Sequence, residues 1–212
     1  QRYWWLRKKL NIDPELLPLR ECSDFNEWQT LLKPYSISIV FASGYLSNPS
    51  TLYGHTFFLL KKSENKNSLL LDYTVNYAAT TGDEKGLLYA LKGVFGKYPG
   101  NFSTMPYYLK IQEYQNMENR DLWEYPLNLT QDEIDSFLRH SWELGKASFP
   151  YYFFKKNCSY QLLPLLEISR EGASLQDKFL FWNIPSDSLK VIVENFGDKK
   201  NFYIFTVDDL VE

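Results

Sequence analysis

Three features of the sequence predict an α+β domain, an antiparallel sheet packed against helices with a nucleophile at a helix N-terminus. Ser36 to Ala42 alternates polar and apolar residues with period two, as a strand with one covered face does. The apolar run Thr56 to Lys61 passes through the turn-rich Ser63-Glu64-Asn65-Lys66-Asn67 and returns as Ser68 to Tyr77, which reads as a hairpin. Segments with helical spacing and their own start signals flank these strands, and one carries a cysteine in its first turn.

Taken in order, residues 2 to 10 read as a short helix, and Asp24 with Glu27 opens a second through Trp28, Leu31 and Leu32. Cys22, with no base near it in sequence, is assigned a structural part, either buried or paired with a cysteine beyond this chain. After the first strand, Ser43 to Gly54 is dense in turn residues and delivers the chain to His55. Asp83 to Phe95 reads as a helix through Leu87, Leu88, Leu91 and Val94, ended by Gly96. Tyr107 to Tyr114 and Leu122 to Leu127 read as strands. Arg120, Asp121 and Glu124 between and within them are assigned to the surface or to ion pairs, since exposed charge is the default.

Thr130 with Glu133 is a capping box for a helix to about Gly145, whose stripe is Ile134, Phe137, Leu138, Ser141 and Trp142. His140 falls beside that stripe as a packed histidine. Pro164 should kink the helix that follows Cys158, Ile184-Pro185-Ser186 starts the last helix, and Tyr203 to Val207 is the last strand. The whole chain, 1–212, is expected to form one α+β domain, with an N-terminal helical segment over 1–35, a catalytic core over 36–170 and a C-terminal extension over 171–212. Its opening, Gln1-Arg2-Tyr3-Trp4-Trp5-Leu6, lacks methionine and reads as the interior of a longer protein.

Composition narrows the chemistry. A chain of 212 residues can bury a sizeable core without disulfide staples, and 17% aromatic residues suit an aromatic core or a groove for an apolar ligand. The net charge of -3 gives no electrostatic case for nucleic acid. Two cysteines and two histidines make neither a disulfide scaffold nor a recognisable zinc site, so no metal or cofactor is expected.

The candidate nucleophile is Cys158, in Lys155-Lys156-Asn157-Cys158-Ser159-Tyr160. Asn157 is a favoured N-cap, so Cys158 enters a first helical turn, where free backbone N–H groups, the helix dipole and the two upstream lysines would lower a thiol pKa. The candidate base is His55, at a strand entrance behind Gly54. With the hairpin centred near Asn65, His55 lies opposite about Thr74. Asn76 and Asp72 then flank it on one face, with Asn76 preferred as the residue that orients the imidazole. Tyr45, Ser47, Asn48, Tyr53, Asn157 and Tyr160 are the candidate substrate-binding residues. Thiolate attack on an ester or amide carbonyl would give a thioester that an amine or water resolves, with the oxyanion held by N–H groups at the start of the Cys158 helix.

Phe41-Ala42-Ser43-Gly44-Tyr45, Gly54-His55-Thr56-Phe57, Asn76-Tyr77-Ala78-Ala79, Gly96-Lys97-Tyr98-Pro99-Gly100, Arg120-Asp121-Leu122-Trp123-Glu124-Tyr125 and Asn157-Cys158-Ser159-Tyr160 together resemble the Lnb N-terminal periplasmic domain family, long catalogued as a domain of unknown function. The order of the His strand and the Asn-Cys helix also resembles the permuted NlpC-type, papain-like thiol enzymes that include the lecithin:retinol acyltransferase proteins. What the first resemblance implies is a bacterial periplasmic or cell-envelope protein associated with N-acylation of lipoproteins, held near a membrane by flanking segments. His55, Cys158 and Asn76 match its motifs. A lipid or lipoprotein substrate is implied, with cell-wall peptide hydrolysis or a non-catalytic envelope interaction module as the alternatives.

Overall fold

The apolar run that follows His55 is buried from Thr56 to Leu60, because the strand it forms lies in mid-sheet with a cover on each face. The computed structural model describes residues 2–18, 20–44, 52–62, 71–82, 86–117, 120–198 and 203–205. Its sheet is antiparallel, built from β1 (Ser36–Ala42), β2 (His55–Lys61), β3 (Tyr73–Ala79), β4 (Tyr98–Pro106), β5 (Leu122–Pro126) and β6 (Ser148–Tyr151) in the order β6-β4-β3-β2-β1-β5. The short β7 (Tyr203–Phe205) extends the β5 edge. Seven α-helices accompany it among the described residues: α1 (Arg2–Leu10), α2 (Ser23–Leu32), α3 (Gly86–Val94), α4 (Tyr107–Ile111), α5 (Gln131–Leu144), α6 (Cys158–Ser169) and α7 (Pro185–Phe196). The α+β class is therefore as expected.

Side-chain alternation divides the core between the two faces. Phe58, Leu60, Val75 and Tyr77 point to the larger side, where α5, α6 and α7 contribute Phe137, Leu163 and Ile192. Phe57, Leu59 and Val40 point to the other, covered by Tyr107 and Tyr114. The innermost helix is α6, with Leu162, Leu163, Leu165 and Leu166 all buried. Those leucines form the side of the helix that packs into the core, while Gln161, Glu167 and Ile168 lie on its partly exposed side. It runs without interruption past Pro164 to Ser169.

The hairpin register differs from the expected one. Leu59 pairs with Thr74 and Phe58 with Val75, which carries Phe57 to Asn76 and leaves His55 further along the ladder than Thr74. The slip is by an even number of residues, so Asn76 keeps the face it shares with His55. The turn at Ser63 to Asn67 and the first residues of the return, Ser68 to Leu70, lie outside the described residues.

Other expectations need correction. Tyr107 to Tyr114 is not a strand but α4 continued by a π-helical turn (Gln112–Met117), because Tyr107, Lys110 and Tyr114 are buried at helical spacing. β4 and β6 had no strand signal. Pro99 and Pro150 face each other where those strands pair, and proline at a sheet margin hides a strand from pattern reading. The second helix begins at Ser23, with Cys22 rather than Asp24 at its N-cap and no side-chain cap bond. Cys22 is exposed and unpaired. The capping box at Thr130 and Glu133 forms in both directions, and Ile184 caps α7 with Pro185 in its first turn.

Asp121 is exposed and Glu124 is in an ion pair, as expected, but Arg120 and Glu124 are both buried. Each has distant partners that a linear reading cannot supply. Arg120 donates to the carbonyl oxygens of Ser43 and Ala42 and lies over the Tyr114 ring, whereas Glu124 accepts from Ser38 Oγ and pairs with Lys61 Nζ at 2.6 Å. α3 also departs from expectation. Its stripe of Leu87, Leu88, Leu91 and Val94 is exposed, and Tyr89 and Gly93 face inward.

Candidate active site

Gly54 has a φ of 89°, and any Cβ there would overlap the Phe41 ring and crowd the Ala42 carbonyl. That close passage sets the entry of β2 and places His55, only 8% exposed, at the end of the sheet. Across the ladder, His55 Nε2 lies 2.7 Å from Asn76 Oδ1. An amide oxygen only accepts, so Nε2 carries the proton and Nδ1 is left as a base.

Cys158 opens α6 opposite this ring. Asn157 caps the helix, its Oδ1 accepting from the Tyr160 N–H at 3.2 Å and from Ser159 Oγ at 2.8 Å. Its Nδ2 donates to the carbonyls of Phe153 and Asn183, at 3.2 and 2.7 Å. Asn157 thus spends its amide inside the fold, fixing the helix start rather than facing a substrate. Burial alone would push the Cys158 thiol up, but the His55 imidazole, the Thr56 backbone and the Tyr151 hydroxyl pull it down to about 7. These groups outweigh Lys155 and Lys156, whose exposed ammonium groups are screened by water.

Tyr151 is a site residue that sequence reasoning missed. Its hydroxyl oxygen accepts the N–H of Cys158 at 3.1 Å and is also the tyrosine that bonds the thiol. Burial, then the neighbouring Cys158, hold its own pKa well above the ordinary tyrosine value, and its ring stacks on Tyr77 at 5.6 Å. In the sequence it stands within the aromatic run Phe149 to Phe154, which carries no sign of a polar role. The Thr56 hydroxyl was missed as well. It is fully buried, without a partner among the described residues, on the residue whose backbone reaches the thiol.

The remaining candidates separate clearly. Asp72 takes the Lys62 N–H at 3.0 Å instead of facing His55, which leaves Asn76 as the orienting residue. Tyr53 is exposed, its ring edge-on to Phe154 at 5.8 Å. Tyr160 is half-buried against the core, and burial, then Glu167 and Asp177, raise its pKa. Tyr45, Ser47 and Asn48 lie outside the described residues. The pKa of His140 is lowered by burial, and the carboxylate that faces it is Glu143. No group of three or more metal-ligating side chains occurs among the described residues.

The arrangement of thiol, imidazole and amide oxygen can generate a thiolate near neutral pH and return a proton to a leaving group. Residues 24–195 match the model of a family described as the Lnb N-terminal periplasmic domain. No curated protein and no solved structure matches the chain.

Proposed function

The chain belongs to the Lnb N-terminal periplasmic domain family, a family of the periplasmic side of the cell envelope, and from that premise we propose a cysteine-dependent acyltransferase working through a thioester on Cys158. The observation that carries the reading is the ring of His55, held through Nε2 by Asn76 with its other nitrogen free for a thiol whose pKa is about 7.

Cys158 thiolate attacks the ester carbonyl of a lipid donor, forming the C–S bond and a tetrahedral oxyanion. The C–O bond then breaks, and the departing alcohol takes the proton held by His55. In the second half-reaction, an amine attacks the thioester, gives its proton to His55 and leaves as an amide, returning the thiolate. Asn76 is neutral and acts by holding the ring and its tautomer. Tyr151 donates to the thiolate, and its oxygen occupies the Cys158 N–H before the oxyanion forms. Displacing that hydroxyl would free the N–H for the oxyanion. A lipoprotein N-terminal amine is the acceptor that fits the family's periplasmic setting, and the papain-like likeness of the His strand and Cys helix belongs to the same proposal.

The test is to incubate the protein with vesicles of radiolabelled phosphatidylethanolamine and then with a diacylglyceryl-cysteine peptide. The expected result is a hydroxylamine-labile label on Cys158, discharged as an N-acyl peptide and absent in Cys158→Ala and His55→Ala. Cleavage of a cell-wall stem peptide without any lipid label would replace the acyltransferase with an amidase. Absence of both reactions would leave a non-catalytic module.

A further inference from the structure

Alternation along β2 divides its residues between two environments. Thr56 shares a face with Phe58 and Leu60, the face on which α6 packs, whereas His55 shares the other with Phe57 and Leu59. Thr56 is fully buried, and its hydroxyl has no partner among the described residues. An unpaired hydroxyl in a dry interior is unfavourable, and valine has the same branched shape without it. The position therefore keeps a polar group that the fold itself leaves unused.

The backbone of the same residue shows what lies nearby. Thr56 gives the Cys158 sulfur a backbone hydrogen bond. Only three bonds separate the nitrogen of a threonine from its hydroxyl oxygen, and two of the three staggered positions about χ1 bring them to about 3 Å. The unpaired hydroxyl thus belongs to the neighbourhood of the sulfur by covalent geometry. A neutral thiol is a weak acceptor and gives the hydroxyl little reason to turn. A thiolate is a charged acceptor, and hydrogen bonds to such a group are about twice as strong as those between neutral partners.

The other groups that face this sulfur are already committed. His55 on β2 is held by Asn76, and Tyr151 from β6 takes the Cys158 N–H as well as bonding the sulfur. Tyr77 from β3 feels the thiolate charge and donates its own hydroxyl to the Phe149 carbonyl. Lys155 and Lys156, just ahead of α6, are exposed. Thr56 alone among these brings a buried donor with nothing to bond.

We infer that the Thr56 hydroxyl is a latent donor to Cys158, turning to bond the sulfur beside the Thr56 N–H once that sulfur becomes an anion. This makes Thr56 a further residue of the nucleophile, unpaired against the thiol and paired against the thiolate. The inference rests on Cys158 ionising next to His55 and not on what the thiolate attacks, so it is read without substrate.

The test is titration of Cys158 by thiolate absorbance in the parent, Thr56→Val and Thr56→Ser, all in a Cys22→Ser background, with thermal unfolding of each at pH 6 and pH 9. Thr56→Val is expected to raise the midpoint by about one pH unit, about tenfold less thiolate at neutral pH. Thr56→Ser, which keeps the hydroxyl, is expected to stay within about 0.3 of the parent. At pH 6 the thiol is protonated in all three, and Thr56→Val should melt at or above the parent because an unpaired buried hydroxyl is gone. As pH rises past the parent midpoint of about 7, the ionised thiol stabilises the parent more than the variant, so the advantage of Thr56→Val shrinks or reverses by pH 9. In a Cys158→Ala background, Thr56→Val should have the same effect on Tm at both pH values.

Equal midpoints in Thr56→Val and a parent titrating near 7 would overturn this inference and leave the pairing of His55 with Cys158 intact. Equal rises in the valine and serine variants would overturn it in favour of packing, and a pH-dependent effect that survives Cys158→Ala would assign the hydroxyl to another titrating group. A parent midpoint of 8.5 or above would contradict the pairing and this inference together.

Discussion

Tyr151 Oη sits at 3.1 Å from the backbone nitrogen of Cys158, so one phenol holds both the N–H and the thiol of the same residue. The contact joins the β6 edge to the start of α6 and ties the ionisation of the nucleophile to a side chain from another element.

Tyr151→Phe removes that hydroxyl and keeps the ring stacked on Tyr77. The thiol should titrate higher and the thiolate fraction at neutral pH should fall several-fold, with thermal stability lowered by about 1 kcal/mol for the lost bond. A thiol titration unchanged in Tyr151→Phe would remove Tyr151 from the site.

Asn76→Ala should free the imidazole to rotate while leaving it beside the thiol. The thiol midpoint should move less than in His55→Ala, while the acyl-transfer rate falls about 10- to 100-fold, because ring orientation and tautomer are lost. Equal effects of the two substitutions on the midpoint would mean that Asn76 does more than orient the ring.

The thiol also makes stability depend on pH. Its folded pKa of about 7 lies below its ordinary value of 9.0, so the folded state holds fewer protons than the unfolded one between those values. The stabilisation from the ionised thiol is therefore fully present above pH 9 and is lost as pH falls through 7. Unfolding of the parent and Cys158→Ala, compared from pH 6 to 9, should show the difference growing with pH by on the order of 2 kcal/mol.

Gly93→Ala would drive a methyl group into the Phe153 ring, where α3 meets the segment that leads into Cys158. A loss of about 1–3 kcal/mol is expected, with faster proteolysis within α3 than within α5. Thr130→Ala breaks the capping box of α5 and should cost about 1 kcal/mol, or about 2–4 °C in Tm. Burial opposes ionisation of Glu133, but hydrogen bonds from Arg170 and Thr130 outweigh it and lower its pKa from 4.5. That part of the stability holds above about pH 4.5 and fades on acidification.

What could be read from the sequence was local. Thr130 with Glu133, and Asn157 ahead of an apolar run, announce helix starts through side-chain bonds made within four residues, Pro185 announces one through its fixed φ, and all three starts form. Asn76 was found by parity, which survives an even register slip. The illegible parts depend on distant partners. Arg120 and Glu124 are buried because Ser43, Ala42, Ser38 and Lys61 satisfy them, and Tyr151 joins the site because β6 closes the sheet beside β4. In α3 the amphipathic pattern gave the helix correctly but not the direction of its apolar side, which Gly93 against Phe153 decides.

The most direct measurement is the titration of Cys158 by thiolate ultraviolet absorbance in a Cys22→Ser background, with and without His55→Ala. Absorbance is the right probe because Cys158 is only 2% exposed, and Tyr151 and Tyr77 are pushed above the ordinary tyrosine range, away from the titration. The account predicts a midpoint near 7 that rises above about 8.5 when the imidazole is removed. A midpoint at or above 8.5 in the parent, or one indifferent to His55, would contradict it.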